Sequence, residues 1–177
     1  MPEISPQPAV ERIVPVGGHS LVVAVTPGQS PIVALTAAVW AEAVGGALHC
    51  AYADPERVVD VEFADGSVRH SALSPDADDD SWLELRQQLH DQVAAAIAGR
   101  AVRWEFHYLA GRADRAITHL ARAVDAAAIV VGARRPAHGE RLREFLATSL
   151  GAQLTRHQHR PVLAVPIEIV DWKHQVQ

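Results

Sequence analysis

Hydrophobic residues follow two patterns along the chain: short continuous apolar runs, and longer stripes with the spacing of an amphipathic helix. The continuous runs predict strands that are buried on both faces, as in a parallel sheet. We place five such strands at residues 20–26, 47–52, 102–108, 128–132 and 162–166. The helical stripes fall between them, and the longest comprises Trp82, Leu85, Leu89, Val93 and Ile97. Because strands alternate with helices, the chain is predicted to form an α/β fold, a five-stranded parallel sheet with helices on both faces.

A third pattern, strict alternation of apolar and polar residues, occupies residues 58–73. Val59, Val61 and Phe63 alternate with acidic residues, and Asp65-Gly66 then provides the residues of a type I′ turn. This segment is predicted to be a solvent-facing β-hairpin, inserted beside the parallel sheet.

Several helix ends are marked by capping residues. Ser30 is predicted to cap a helix with Pro31 in its first position, and Gly45-Gly46 to end it. Ser81 and Glu84 have the spacing of a capping box for the following long helix.

The last third of the chain has the residues of an anion-binding site. A predicted strand ends at Gly132 and leads into a basic loop, residues 134–143, which is followed by a helix with Thr148 or Ser149 as its N-cap. The unpaired N–H groups and the positive end of that helix would face the basic loop. The next apolar run, after Pro161, completes a βαβ unit.

Three short motifs in this region are Val130-Val131-Gly132, Arg156-His157 and the run from Pro161 to Pro166. Together with the first strand and most of the chain between, they resemble the universal stress protein family, which has the pattern G-x-x-G-x9-G-[S/T]. The resemblance implies a Rossmann-like sheet and a pocket for ATP or another adenine nucleotide at the carboxyl ends of the strands. It also implies a two-fold dimer.

The family's nucleotide motif is altered in this chain. Arg135 occupies the position of the second glycine of this pattern, and Thr148 occupies the position of the third. In an alternative alignment the pattern uses Gly139 and Ser149, with nine residues between them. Thr26 replaces an aspartate that the family places against adenosine; a threonine hydroxyl offers a hydrogen bond but no negative charge. Candidate cofactor-binding residues are Thr26, Gly28, Gly132, Arg134, Arg135, Gly139, Thr148 and Ser149.

Three hypotheses about function follow. The first is a dimeric stress-response or regulatory module whose degenerate pocket binds ATP weakly or not at all. The alternative is a universal stress protein that binds ATP or another adenine nucleotide. The third is an enzyme such as a nucleotide hydrolase. The sequence predicts no base or nucleophile for it, and Cys50 is predicted to be a small buried residue.

We therefore predict no catalytic residues. We also predict no metal site, since His157 and His159 diverge in direction at a helix end.

The last apolar strand predicts a homodimer. Its residues continue in the apolar positions Ile167, Ile169 and Val170, which is too much apolar strand for a monomer to expose. The predicted interface consists of Val162, Leu163, Ala164 and Val165.

Composition limits the remaining possibilities. The chain has 177 residues, which favours one domain at 19–170 between flexible tails at 1–18 and 171–177. The net charge of −5 argues against a general nucleic-acid surface, and no apolar stretch is long enough for a membrane span. A single cysteine excludes an internal disulfide and a cysteine-based zinc site, and a cytoplasmic location is expected.

Overall fold

A parallel sheet runs through the centre of the computed structural model, which describes residues 9–74, 80–133 and 149–168. The strands are β1 Leu21–Ala24, β2 Leu48–Asp54, β3 Arg57–Glu62, β4 Val68–Ala72, β5 Trp104–Ala110, β6 Ala128–Ala133 and β7 Val162–Pro166. Five of them form the parallel sheet in the order β5-β2-β1-β6-β7, while β3 and β4 pair with each other as an antiparallel hairpin. The predicted five-stranded parallel sheet is confirmed.

Helices cover both faces of this sheet. They are α1 Pro31–Val44, α2 Ser81–Ala96, α3 Ala113–Ala123 and α4 Leu150–His157, and a 3-10 helix spans Val10–Arg12. In β1, Leu21 and Val23 pack with α1 and α2, whereas Val22 and Ala24 pack with α3 and α4. Side chains of a strand alternate between the two faces, so the continuous apolar run of β1 supplies two separate cores.

The helix ends agree with the predicted caps in part. Ser30 is the N-cap of α1 with Pro31 at N1, although its side chain makes no capping bond, and α1 ends at Gly45 with a φ of +71°. The prediction of a capping box at Ser81 and Glu84 is wrong, because Asp80 is the N-cap of α2 and Ser81 is its first residue. The helix therefore starts with a serine inside its first turn.

The hairpin is present, but its turn differs from the predicted type I′. Phe63 N–H donates to the Ser67 carbonyl at 2.9 Å, and Gly66 N–H donates to the Phe63 carbonyl at 3.1 Å. Gly66 has a φ of +87°, whereas Asp65 does not share a positive φ, which both central residues of a type I′ turn require. The loop therefore has three residues and ends in a left-handed glycine. The Asp65 carboxylate accepts from the Ser67 hydroxyl at 2.7 Å and from its N–H at 2.9 Å, which holds this turn.

Buried polar and aromatic groups attach the hairpin to the main sheet. Arg57 of β3 is 5% exposed and donates from Nε to His70 Nδ1 of β4 at 2.7 Å. Its guanidinium lies 5.5 Å from the centre of the Trp82 ring of α2. Next to it, the Tyr108 hydroxyl of β5 donates to Asp54 Oδ2 at 2.6 Å. The insertion thus packs on β5 and α2 through a hydrogen-bonded cluster.

Candidate functional site

The candidate site lies where the chain leaves two neighbouring strands in opposite directions. β1 is paired with β2 on one side and β6 on the other, and β6 leads on to β7 at the opposite end of the sheet. Such a switch point leaves a crevice at the carboxyl ends of the strands, where open α/β sheets bind ligands. A cavity of about 720 Å³ occupies this position. That volume falls within the roughly 300–1,000 Å³ typical of small-molecule pockets.

Four predicted site residues meet at this cavity: Thr26, Gly28, Gly132 and Ser149. The β1–α1 loop forms one side, and the end of β6 with the first turn of α4 forms another. The remaining candidates lie outside the described residues: Arg134, Arg135, Gly139 and Thr148.

The first turn of α4 is built on Ser149. This residue is the N-cap, with extended backbone, and its Oγ accepts from Ala152 N–H at 3.3 Å. The first turn of α4 packs on the end of β6, since a Cβ at Gly151 would lie in ordinary van der Waals contact with Val131 Cγ2, at 3.5 Å. The positive end of the α4 dipole therefore lies at the cavity, while the Ser149 oxygen already serves one of the helix's own N–H groups.

The β1–α1 loop is held by a residue that sequence reasoning missed. Gln92 of α2 donates from Nε2 to the Thr26 carbonyl at 3.0 Å, and its Oε1 accepts from Gly28 N–H at 2.9 Å. One side chain therefore uses a carbonyl and an N–H of the loop that faces the cavity. Nothing local in the sequence marks Gln92, since it follows this loop by more than 60 residues.

A second glutamine covers Gly132. A Cβ built on Gly132 would lie 3.1 Å from Gln29 Nε2, 3.2 Å from Val33 Cγ2 and 3.6 Å from Ile167 Cγ2. The Gln29 amide also donates to the Ala24 carbonyl at 3.3 Å, which holds it across the ends of β1 and β6. The glycine thus makes room for protein atoms of this chain on the side where its missing side chain would lie.

The described wall of the cavity is electrically neutral. Its polar side chains are the hydroxyls of Thr26, Ser30, Ser149 and Thr155 and the amide of Gln29. Within the described lining there is no carboxylate, imidazole or thiolate to bind a metal or remove a proton. Cys50 lies in β2 and is fully buried, and burial raises the pKa of its thiol to about 12. Its predicted role as a small core residue is confirmed.

No helix in the described parts of the chain has both the length and the apolar character needed to cross a membrane.

Solved structures with the same fold are universal stress proteins. One from Archaeoglobus fulgidus has a TM-score of 0.59 and 19% identity, covering 84% of this chain and 93% of that one. A universal stress protein in complex with cAMP has a TM-score of 0.56 and 22% identity, covering 86% and 99%. The Archaeoglobus fulgidus protein in complex with dAMP has a TM-score of 0.57 and 19% identity, covering 82% and 96%. At these identities the likeness establishes the fold.

Sequence comparison establishes the family. No curated protein matches the chain. The model of the universal stress protein family matches residues 19–166. This range includes strands β1 to β7 and helices α1 to α4. The chain therefore belongs to the universal stress protein family.

Proposed function

We propose that this protein is a dimeric regulatory module of the stress response whose pocket binds ATP weakly or not at all. The observation that carries the proposal is that groups at the cavity are already used within the chain. Gly28 N–H is bonded to Gln92, and Gln29 packs against Gly132. The predicted cytoplasmic location and lack of catalytic activity belong to the same proposal.

Energetic reasoning favours weak binding. A phosphate that needs Gly28 N–H must displace the Gln92 oxygen, so one hydrogen bond is exchanged for another with little net gain. Thr26 supplies no negative charge to an adenosine group. Losing two or three contacts of ~1–3 kcal/mol each weakens binding by about two orders of magnitude or more.

The alternative is an adenine-nucleotide-binding universal stress protein. Two proteins of this fold were solved with cAMP and with dAMP. The position of the cavity at the switch point and its volume of about 720 Å³ favour a ligand of this size. Titration with ATP distinguishes the two functions.

We expect wild-type protein to bind ATP with a Kd weaker than about 100 µM in isothermal titration. Ser149→Ala should lower any measured affinity, because the Ser149 hydroxyl lies at the N-terminus of α4. Gln29→Ala should raise it by about tenfold, because the truncation uncovers Gly132. Gln87→Ala, on the exposed surface of α2, is the matched control and should change nothing.

Retention of ATP through purification, or a micromolar Kd, would overturn the weak-binding proposal and establish the alternative. Unchanged affinity in Gln29→Ala would show that the amide over Gly132 is not what limits binding.

We also propose a homodimer through β7, which lies at one end of the described sheet. Ile167 N–H donates inward to the Ala133 carbonyl at 3.2 Å. Since N–H groups alternate along a strand, those of Val162 and Ala164 point away from β6 and can pair with a second copy. Val165 is 8% exposed and packs in the core, so a charge there would disturb the fold as well as the interface.

Ala164→Pro is expected to convert the dimer to a monomer, because it removes an outward N–H without placing a charge in the core. Ala164→Ser retains the N–H and should remain dimeric. Light scattering gives the mass of each variant. A dimer that survives Ala164→Pro with unchanged dissociation behaviour would place the interface elsewhere.

A further inference from the structure

Two imidazoles and a carboxylate meet on the sheet away from the switch-point cavity. His49 lies near the start of β2, and Glu105 and His107 lie in β5, which pairs with it. The register places His49 opposite Glu105 and Ala51 opposite His107. The three side chains are therefore close in space, although His49 and His107 are 58 positions apart in sequence.

The distances between their polar atoms suit a metal ion. His49 Nδ1 and His107 Nε2 are 3.0 Å apart, and each is 3.8 Å from Glu105 Oε2. The centre of this triangle lies about 2.1 Å from each atom, and zinc bonds to histidine nitrogen or carboxylate oxygen measure about 2.0–2.2 Å. We propose that His49, Glu105 and His107 form a binding site for Zn²⁺ or a similar divalent transition-metal ion.

One of the three side chains is exposed to solvent and two are nearly buried, so an ion can reach the cluster from the solvent side. The His49 and His107 side chains are 10% and 12% exposed, whereas Glu105 is 70% exposed. The imidazoles are thus held by the fold, and the exposed carboxylate reaches the cluster from the solvent side. A fourth position facing solvent would be taken by water, as in zinc sites with three protein ligands.

The ligand set selects the class of metal. Imidazole nitrogen with one carboxylate suits zinc and neighbouring transition metals, whereas Mg²⁺ and Ca²⁺ favour sites built from oxygen atoms. Asp65 in the hairpin turn adds a further negative charge that acts on His107. A cation at the centre of the cluster would be attracted by both carboxylates.

The competing explanation is a hydrogen bond between two imidazoles that binds no metal. In that arrangement the N–H of one ring is donated to the lone pair of the other, and one of the two facing nitrogens therefore carries no hydrogen. Zinc needs a lone pair from both facing nitrogens, so the donating ring carries its hydrogen on its other ring nitrogen when the ion is bound.

Zinc titration of the full chain tests this site. The protein is prepared without a histidine tag, stripped with a chelator and titrated with zinc sulfate against a chromophoric zinc indicator. We expect one saturable zinc ion per chain at this site. Glu105→Gln and His107→Gln should each weaken its binding by about tenfold or more, because losing even a residue that supports a ligand typically has that effect.

Controls separate this cluster from other histidines. His90→Gln, on α2 beside Asp91, and His157→Gln, on α4, should bind zinc like the wild type. Glu105→Gln also guards against misfolding, since its exposed side chain is not part of the core. Absence of saturable binding by the wild type overturns the proposal. So does wild-type affinity in Glu105→Gln and His107→Gln, or loss of the ion in His157→Gln instead.

Discussion

Replacing Gly46 by alanine is expected to lower the free energy of unfolding by about 3 kcal/mol. Gly46 follows α1 and precedes β2, and a Cβ there would overlap the carbonyl oxygen of His19 and lie 2.8 Å from the His19 carbonyl carbon. These are backbone atoms just before β1. They cannot move away easily, because the adjacent Ser20 carbonyl accepts from Ala127 N–H at 2.9 Å. Relief of the overlap therefore has to displace the entry to the central strand.

Gly45→Ala is the matched control for this prediction. Gly45 has a φ of +71°, but a Cβ there meets no atom within 4 Å. Alanine at Gly45 therefore incurs only the cost of a left-handed backbone, about 1 kcal/mol. Urea denaturation followed by circular dichroism measures both variants. If Gly46→Ala loses no more stability than Gly45→Ala, the close approach to His19 does not constrain the fold.

The two glycines show which features of the fold the sequence predicts and which it does not. Gly45-Gly46 correctly predicts the end of α1, because glycine is common just after a helix. It does not distinguish a residue that needs a positive φ from one that needs an empty space beside it. The first property is local, whereas the second depends on where the chain before β1 passes.

The hairpin turn has a similar explanation. An Asp-Gly pair fits a two-residue loop and also the end of a three-residue loop. Pairing of Phe63 with Ser67 selects the longer loop, and the alternating pattern alone does not specify that register. The strands themselves were predictable, since continuous apolar runs and strict alternation distinguish the parallel sheet from the hairpin.

The candidate site was predicted where motif and topology agree. Thr26 and Gly28 follow β1, Gly132 lies near the end of β6, and Ser149 precedes α4. All four therefore meet at the carboxyl edge of the sheet. Gln92 was not predictable, because its hydrogen bonds to the loop depend on how α2 packs beside α1.

The cluster of His49, Glu105 and His107, which we propose binds a metal, was not predicted for a related reason. Sequence spacing points only to ligand pairs that are close along the chain, such as His157 and His159. His49 and His107 become neighbours through pairing of β2 with β5. In a parallel sheet, ligands on adjacent strands are separated in sequence by a whole crossover connection, so no short spacing reveals them.

A buried carboxylate at the start of α3 is the second place where we expect a substitution to lower the free energy of unfolding strongly. Asp114 is 5% exposed and accepts from Arg112 Nε at 3.2 Å and from Arg112 Nη2 at 2.9 Å. His157 Nδ1 of α4 lies 3.3 Å from the same carboxylate, so Asp114 joins two helices on one face of the sheet. Burial acts to raise the pKa of Asp114, but the hydrogen bond and charge of Arg112, with smaller contributions from Arg115 N–H and His157, lower it overall.

Asp114→Asn is therefore expected to lower the free energy of unfolding at pH 7 by about 2 kcal/mol, since hydrogen bonds to charged groups contribute roughly that much. Because the folded pKa lies below the unfolded value of about 3.9, the stabilisation by the carboxylate is complete well above that pH and is lost as the pH falls toward the folded pKa. The difference between wild type and variant in urea denaturation should shrink as the pH falls below about 4. Asp91→Asn, on an exposed aspartate of α2, should change stability by less than about 0.5 kcal/mol at pH 7. A loss in Asp114→Asn that persists unchanged at low pH would mean that the asparagine disturbs packing, and that the charge of Asp114 does not stabilise the fold.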